Sequence, residues 1–369
     1  LMPSVLGRHI QASLDMPAEM IFAGITVSSA AGAIIAPRVG QFVDRSGARA
    51  VMVIGSLIYA VSLACLSQSW NVASYLVCWA VVGLASALAL STTASVALVQ
   101  VAGPRARQAI SLLTIIAGLS SSIFWPITGL LEASLGWRST VMVFAGLHFF
   151  LCLPIHLMVL PRRPPVHPAA GGAASAADTV PPEDHSRVFL LLSVSLTSGA
   201  FVFTGVQLQM IELLRGLGHT SGSALLLASL IGPFQVGIRI FELLFGHRYT
   251  IMKSAVVGSV LLPVGLGLAL LAGNLFAVAL CAVAAYGLSN GLKAVQRSTL
   301  PLTLFGRSRF GHFAGRLALP QGIVSALAPP VMAGVISNFG TAPALWLCFA
   351  MATISLIAMI LLARRAPSA

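Results

Sequence analysis

Residues 40–67 read GQFVDRSGARAVMVIGSLIYAVSLACLS. The first ten carry Asp44, Arg45 and Arg49 with Gly40 and Gly47, and the following eighteen carry no charge. A helix needs about 20 apolar residues to cross the hydrocarbon layer of a bilayer. The stretch therefore reads as the end of one helix, a short basic turn, and a second helix immersed in lipid. Its Leu, Ala, Ile and Val residues do not alternate with polar ones, which argues against a barrel strand of about ten residues.

The same pattern recurs along the chain. Eleven stretches qualify as spans: 20–41, 50–67, 73–99, 108–131, 139–160, 188–210, 222–244, 254–272, 274–292, 316–338 and 343–363. Composition agrees, with 57% hydrophobic and 8% charged residues among 369. A soluble protein is roughly a quarter charged, so the solvent for most of this surface is lipid. The predicted fold class is an all-α polytopic membrane protein. Cys65, Cys78, Cys152, Cys281 and Cys348 lie in apolar runs without paired spacing, and read as small packing residues, with neither a disulfide framework nor a metal site.

One connection stands apart. Residues 161–187, PRRPPVHPAAGGAASAADTVPPEDHSR, contain six prolines and few large apolar side chains. Such a segment cannot bury enough surface to offset its ordering entropy. It reads as a flexible cytoplasmic linker between an N-terminal transmembrane half, 1–160, and a C-terminal half, 188–369. With the Arg364–Arg365 end placed inside, eighteen Lys and Arg residues fall on the cytoplasmic side, Lys293 and Arg297 among them. Only Arg8, Arg138 and Arg215 fall outside. That bias follows the positive-inside rule, and it accounts for the net charge of +12 without a nucleic-acid partner. The same alternation puts residue 1 outside, where Leu1–Gly7 reads as the tail of a span. A first helix of about 20 residues is expected upstream, giving a parent of six plus six.

The halves echo one another. Pro126, Gly129 and Gly136 match Pro330, Ala333 and Gly340 at an offset of 204, and Arg38 matches Arg239 at 201. Transporters are frequently built from such repeats.

The string Gly40-x-x-x-Asp44-Arg45-x-Gly47-x-Arg49 resembles the loop signature of the major facilitator superfamily, between its second and third helices. The register agrees if one helix precedes residue 1. On this resemblance the fold is a 6+6 helix bundle: the end of helix 1 and helices 2–6, the linker, then helices 7–12. Gly40, Asp44, Arg45, Gly47 and Arg49 form its gating motif. Gly40 would admit a neighbouring helix, Asp44 would cap a helix N-terminus or meet a basic group, and Gly47 would allow the turn. Arg45 and Arg49 would hold the loop on the anionic inner face. The plain alternative is a basic loop with a turn glycine. Gly136-Trp137-Arg138 is also frequent in the superfamily. Gly118 to Gly129, GLSSSIFWPITG, is similar to the fifth helix of its monocarboxylate and oxalate–formate branches, nominating Gly118, Pro126 and Gly129 for packing between halves. The chain departs from the family at Trp79, where the fourth helix commonly carries an arginine.

Charges within a span cost about 2.5–3.5 kcal/mol on insertion scales. Arg239 is one, in Gln235-Val-Gly-Ile-Arg239, where the monocarboxylate branch has Asp-x-x-x-Arg. It is a candidate contact for an anionic group or part of an inner gate; the alternative is that it snorkels or pairs with Glu242. Family helices 1, 4, 7 and 10 line the cavity, which nominates Trp79 and Ser86, Thr204 and Gln207, and Tyr286 and Asn290, with Gln235 beside Arg239. His148 is titratable near mid-membrane and reads as a packed histidine ahead of a proton carrier.

The expectation is a secondary transporter in the bacterial inner membrane, moving a small organic anion or xenobiotic by alternating access. A coupling proton or exchanged anion, no cofactor and a monomeric state complete it. A transporter-like receptor or inactive scaffold is the alternative. A polytopic enzyme would need a polar catalytic cluster and a nucleotide-driven pump a G-x-x-x-x-G-K-[ST] loop, and the sequence contains neither.

Overall fold

The computed structural model describes residues 2–161, 184–306 and 309–365. These residues are almost wholly helical, with no strand among them. The helices are α1 (Met2–Leu14), α2 (Ala18–Ser46), α3 (Ala48–Ser67), α4 (Val72–Ala89), α5 (Ser91–Ala102), α6 (Ala106–Leu147), α7 (Leu153–Val159), α8 (His185–Gly216), α9 (Ser221–Ser229), α10 (Ile231–Phe245), α11 (Ile251–Ala272), α12 (Phe276–Phe305), α13 (Phe310–Phe339) and α14 (Thr341–Ala363). Each of the eleven expected spans is helical over most of its length, and nine helical stretches among the described residues are long and apolar enough to cross a membrane. Large apolar side chains remain outward, Phe150 and Met158 among them, as lipid-facing surfaces require.

Local chemistry sets the breaks. Asn71 caps α4 in a reciprocal box with Ser74, satisfying donors that a helix start leaves orphaned. Pro233 lacks the N–H that would bond back across residues 229–230, and there one predicted span divides into α9 and α10. Gly136, at φ 76°, breaks α6 into two segments. A π-helical turn, His148–Cys152, precedes α7.

The described helices group into two compact units. The first falls within Leu1–Ala109, Ile116–Gly171 and Arg307–Ala326, the second within Ile110–Ile115, Gly172–Gly306 and Leu327–Ala369. In the first, α2 packs on α4 and α4 on α3. Gly83 sits against the Ser28 backbone and Gly24 against the Trp79 ring, so small residues bring helix backbones together where lipid supplies no hydrophobic drive. Leu6, Ile10 and Leu14 of α1 join Tyr75, Trp79 and Trp137 in its core. In the second, α8 packs on α14, and α12 on both α10 and α11. Gly287 and Gly291 of α12 let α10 approach at Ile231 and Gln235.

Two sequence boundaries shift. The linker expected over 161–187 lies, for 162–183, outside the described residues, and its last residues, from His185, already belong to α8. The span expected to end at 292 continues in α12 to Phe305. Lys293, counted with the inner loops, is instead buried within a helix. Its neighbours are small or polar groups on other helices, which no tally of loop charges registers.

Candidate functional site

The signature loop is built at the junction of α2 and α3. Gly47 takes φ 80° there, a conformation that favours glycine, and its N–H donates to the Val43 carbonyl at 2.9 Å. Gln100 of α5 holds the turn from the side. Its Oε1 accepts from the Ala48 N–H at 3.1 Å, and its Nε2 donates to the Val43 carbonyl at 3.4 Å. Sequence reasoning missed Gln100, because only folding brings α5 under the turn.

Asp44 lies in the last turns of α2, beyond the 20–41 span. Its two carboxylate oxygens accept from the N–H groups of Gly311 at 3.0 Å and His312 at 2.7 Å. These are the first free donors of α13, where the helix dipole is positive and an anion is favoured. The partners are 267 and 268 positions away, yet belong to the same compact unit. Burial pushes the Asp44 carboxyl up from the usual carboxylate range, while the His312 and Gly311 donors pull it back.

The approach depends on glycine on both helices. A Cβ on Gly40 would strike the Gly311 carbonyl, and one on Gly315 the Ala36 carbonyl. A Cβ on Gly322 would meet Ala33. The signature thus supplies a bare helix face ending in a carboxylate, seated on the N-terminal half of α13. Arg45 is exposed and Arg49 half-buried, and among the described residues neither forms an ion pair or side-chain hydrogen bond.

Further along the unit, Arg138 donates to the Ser67 carbonyl at 2.7 Å and lies 4.4 Å from the Trp137 ring centroid. It satisfies an orphan carbonyl at the end of α3. Trp79 is buried in the core, its ring edge-on to Tyr75. Ser86 is half-buried, close to the Tyr59 hydroxyl. The Tyr59 ring also stacks on His148, with centroids 4.3 Å apart. Pro126 is exposed, and a Cβ on Gly129 would meet nothing within 4 Å; Gly118 lies on α6.

In the second unit Arg239 is buried in α10, and its Nη1 donates to the Thr114 carbonyl at 3.1 Å. Its Nε has no hydrogen-bond partner among the described residues. Glu242, one turn on, accepts from Ser254 Oγ at 3.1 Å, and Gln296 Nε2 donates to that serine at 3.2 Å. The Tyr286 hydroxyl donates to the Phe203 carbonyl at 3.0 Å, beside Thr204. Gln235 packs its backbone on Gly291, beside Asn290. The nominated residues of α8, α10 and α12 therefore lie on adjoining helices, Gln207 exposed and Thr204, Gln235 and Asn290 half-buried. Among the described residues no group of three or more His, Cys, Asp or Glu is placed to hold a metal.

Long apolar helices, breaks set by glycine and proline, and a carboxylate at one helix end capping a distant helix define a polytopic membrane protein of the transporter class. The chain belongs to the Major Facilitator Superfamily, whose sequence family matches residues 1–296. Among curated proteins none matches the sequence. Solved structures similar to it include the human organic anion transporter MFSD10 (TETRAN), at 19% identity and TM-score 0.72, over 98% of this chain and 89% of that one. The transporter FucP in its outward conformation is similar at 15% identity and TM-score 0.74, over 98% and 94%. The proton:xylose symporter XylE bound to 6-bromo-6-deoxy-D-glucose is similar at 12% identity and TM-score 0.74, over 97% and 91%. At these identities the likeness is one of fold.

Proposed function

We propose that this superfamily member is a secondary transporter moving a small organic anion or xenobiotic by alternating access, with a coupling proton or an exchanged anion. The observation that carries the reading is the seating of Asp44 on the N-terminus of α13. A single charge-assisted contact at a helix end is worth about 0.5–2 kcal/mol, a scale suited to a latch that forms and breaks within each cycle. In this reading Gly40, Asp44, Arg45, Gly47 and Arg49 gate the inner side. Residues 1–160 and 188–369 act as halves around a cytoplasmic linker, packed through Gly118, Pro126 and Gly129, and the C-terminus is cytoplasmic.

The anionic preference is supported by Arg239, a buried guanidinium whose Nε has no hydrogen-bond partner among the described residues, and by likeness to a structure described as an organic anion transporter. Trp79, Ser86, Thr204, Gln207, Gln235, Tyr286 and Asn290 are proposed to line the path. The Gly118–Gly129 stretch and Arg239 support a reading of the chain as nearest the monocarboxylate and oxalate–formate branches. We assign it to a bacterial inner membrane, as a monomer.

The test is flux in proteoliposomes, using a panel of labelled monocarboxylates, dicarboxylates and fluorescent xenobiotics with and without an imposed pH gradient. Saturable flux of an anion, weakened by Arg239→Gln, is the expected result. Flux that ignores every gradient would mark a uniporter. Binding without flux for every compound would favour a receptor instead.

A further inference from the structure

Arg138 falls on the side where the charge count leaves only Arg8 and Arg215 for company. Its guanidinium is fixed in place. Nη1 donates to the Ser67 carbonyl at 2.7 Å, and the central carbon lies 4.4 Å from the Trp137 ring centroid. A guanidinium carries five N–H donors and accepts nothing. Among the described residues Arg138 makes that one hydrogen bond and no ion pair. Glu132, earlier on α6, has its carboxylate against His9 at 2.9 Å.

Arg138 also borders space. A cavity of about 390 Å³, open to the surface, lies where α3 ends and the second segment of α6 begins. Ser67, Gln68, Arg138, Ser139, Met142 and Val143 line it. The volume is within the range of small-molecule sites. The lining combines a cation and three polar residues with two exposed apolar side chains.

The cavity heads an apolar seam. Three contacts show α3 running antiparallel to the second segment of α6 and to α7. Arg138 meets Ser67, His148 stacks on Tyr59 at 4.3 Å, and His156 Nδ1 lies 2.8 Å from Ser56 Oγ. On α3, Ile54, Leu57, Val61 and Cys65 are exposed at helical spacing and lead to Gln68 at the cavity, so they share one helix face. On α6, Ser139 and Val143 are exposed one turn apart, and Phe150 follows beyond them. Trp70, 75% exposed, stands just past the end of α3, and tryptophan collects at the headgroup level of a bilayer. A soluble anion would use the arginine and leave the apolar stripes idle. A phospholipid uses both.

We propose that this cavity is a lipid site, in which Arg138 holds the phosphodiester of an anionic phospholipid and the α3–α6 seam receives an acyl chain. The site lies within the first unit and rests on neither the transported solute nor the direction of transport.

Native mass spectrometry of the purified full chain in detergent tests it. Phosphatidylglycerol and phosphatidylcholine of matched chains are added in equal amounts, and the lipids retained are counted. One phosphatidylglycerol is expected to stay bound with roughly five-fold preference, the scale of one arginine at a membrane surface. Arg138→Gln removes the charge, and Ser139→Phe fills the cavity while keeping the arginine; each is expected to bring the two lipids to parity. Arg215→Gln removes an exposed arginine of the second unit and is expected to keep the preference. Parity in the wild type, or full preference in either cavity variant, overturns the site. Equal loss in Arg215→Gln also overturns it, since that marks diffuse attraction to charge. Inorganic phosphate at constant ionic strength is expected to leave the lipid in place, and displacement would show a free-anion site instead. Should Arg138→Gln fail to fold, having lost its bond to the end of α3, Ser139→Phe decides alone.

Discussion

Asp44 shows what a residue contributes when its partner lies on another element. Its carboxylate satisfies two of the orphan donors that open α13, and Asp44→Ala removes both bonds and the charge. The expected loss is about 1–2 kcal/mol of stability in that contact, read as a lowered melting temperature. If the contact is the proposed latch, the same energy shifts its occupancy by roughly ten-fold and slows flux accordingly. Asp44→Asn keeps an acceptor without the charge and is expected to fall between the two. Equal melting of wild type and Asp44→Ala would remove the cap from the stability account. The carboxylate was legible in the string G-x-x-x-D-R-x-G-x-R. Its receiving N–H groups were not, because nothing in residues 310–312 differs from any other helix start.

At the scale of elements, glycine separates positions that look alike in sequence. Gly83 of α4 meets the Ser28 backbone, whereas a Cβ on Gly129 of α6 would touch nothing. Gly83→Ala is expected to force the α2–α4 pair apart at a cost of about 1–3 kcal/mol. Gly129→Ala is expected to be neutral or to gain about 0.5–1 kcal/mol, since alanine is the better helix former. Melting of the two purified variants side by side measures both, and destabilisation by Gly129→Ala would show a packing role that its own surroundings do not. Gly136 is a third case. Its φ of 76° is what divides α6, and Gly136→Ala should cost about 1–3 kcal/mol in backbone strain, visible as reduced yield and melting temperature. In the sequence Gly83 and Gly129 look alike; only the neighbouring helix distinguishes a contact from an open face.

Across the whole molecule, the proposed orientation makes a labelling prediction. In a cysteine-free background, single cysteines at Arg187 and Arg364 are expected to react with a membrane-impermeant maleimide only after the inner face is opened. A cysteine at Ser221, exposed at the start of α9, is expected to react from outside in intact cells. Residues 187 and 364 labelled from opposite sides would reject the arrangement of spans.

Apolar runs, their lengths and the arginines that flank them were sufficient to read an all-helical membrane fold. Such features are written locally, since a helix in lipid satisfies its own backbone and needs only a continuous apolar stretch. The loop signature was local too, and it named the family. Assembly assigned the partners: Asp44 to α13, Gln100 to the Gly47 turn, and Lys293 to Ser355 of α14. Each pairing joins residues distant along the chain, and its free energy exists only once helix faces meet. For that reason Lys293 read as one more basic residue at a span's end, while packing placed its charge inside the bundle.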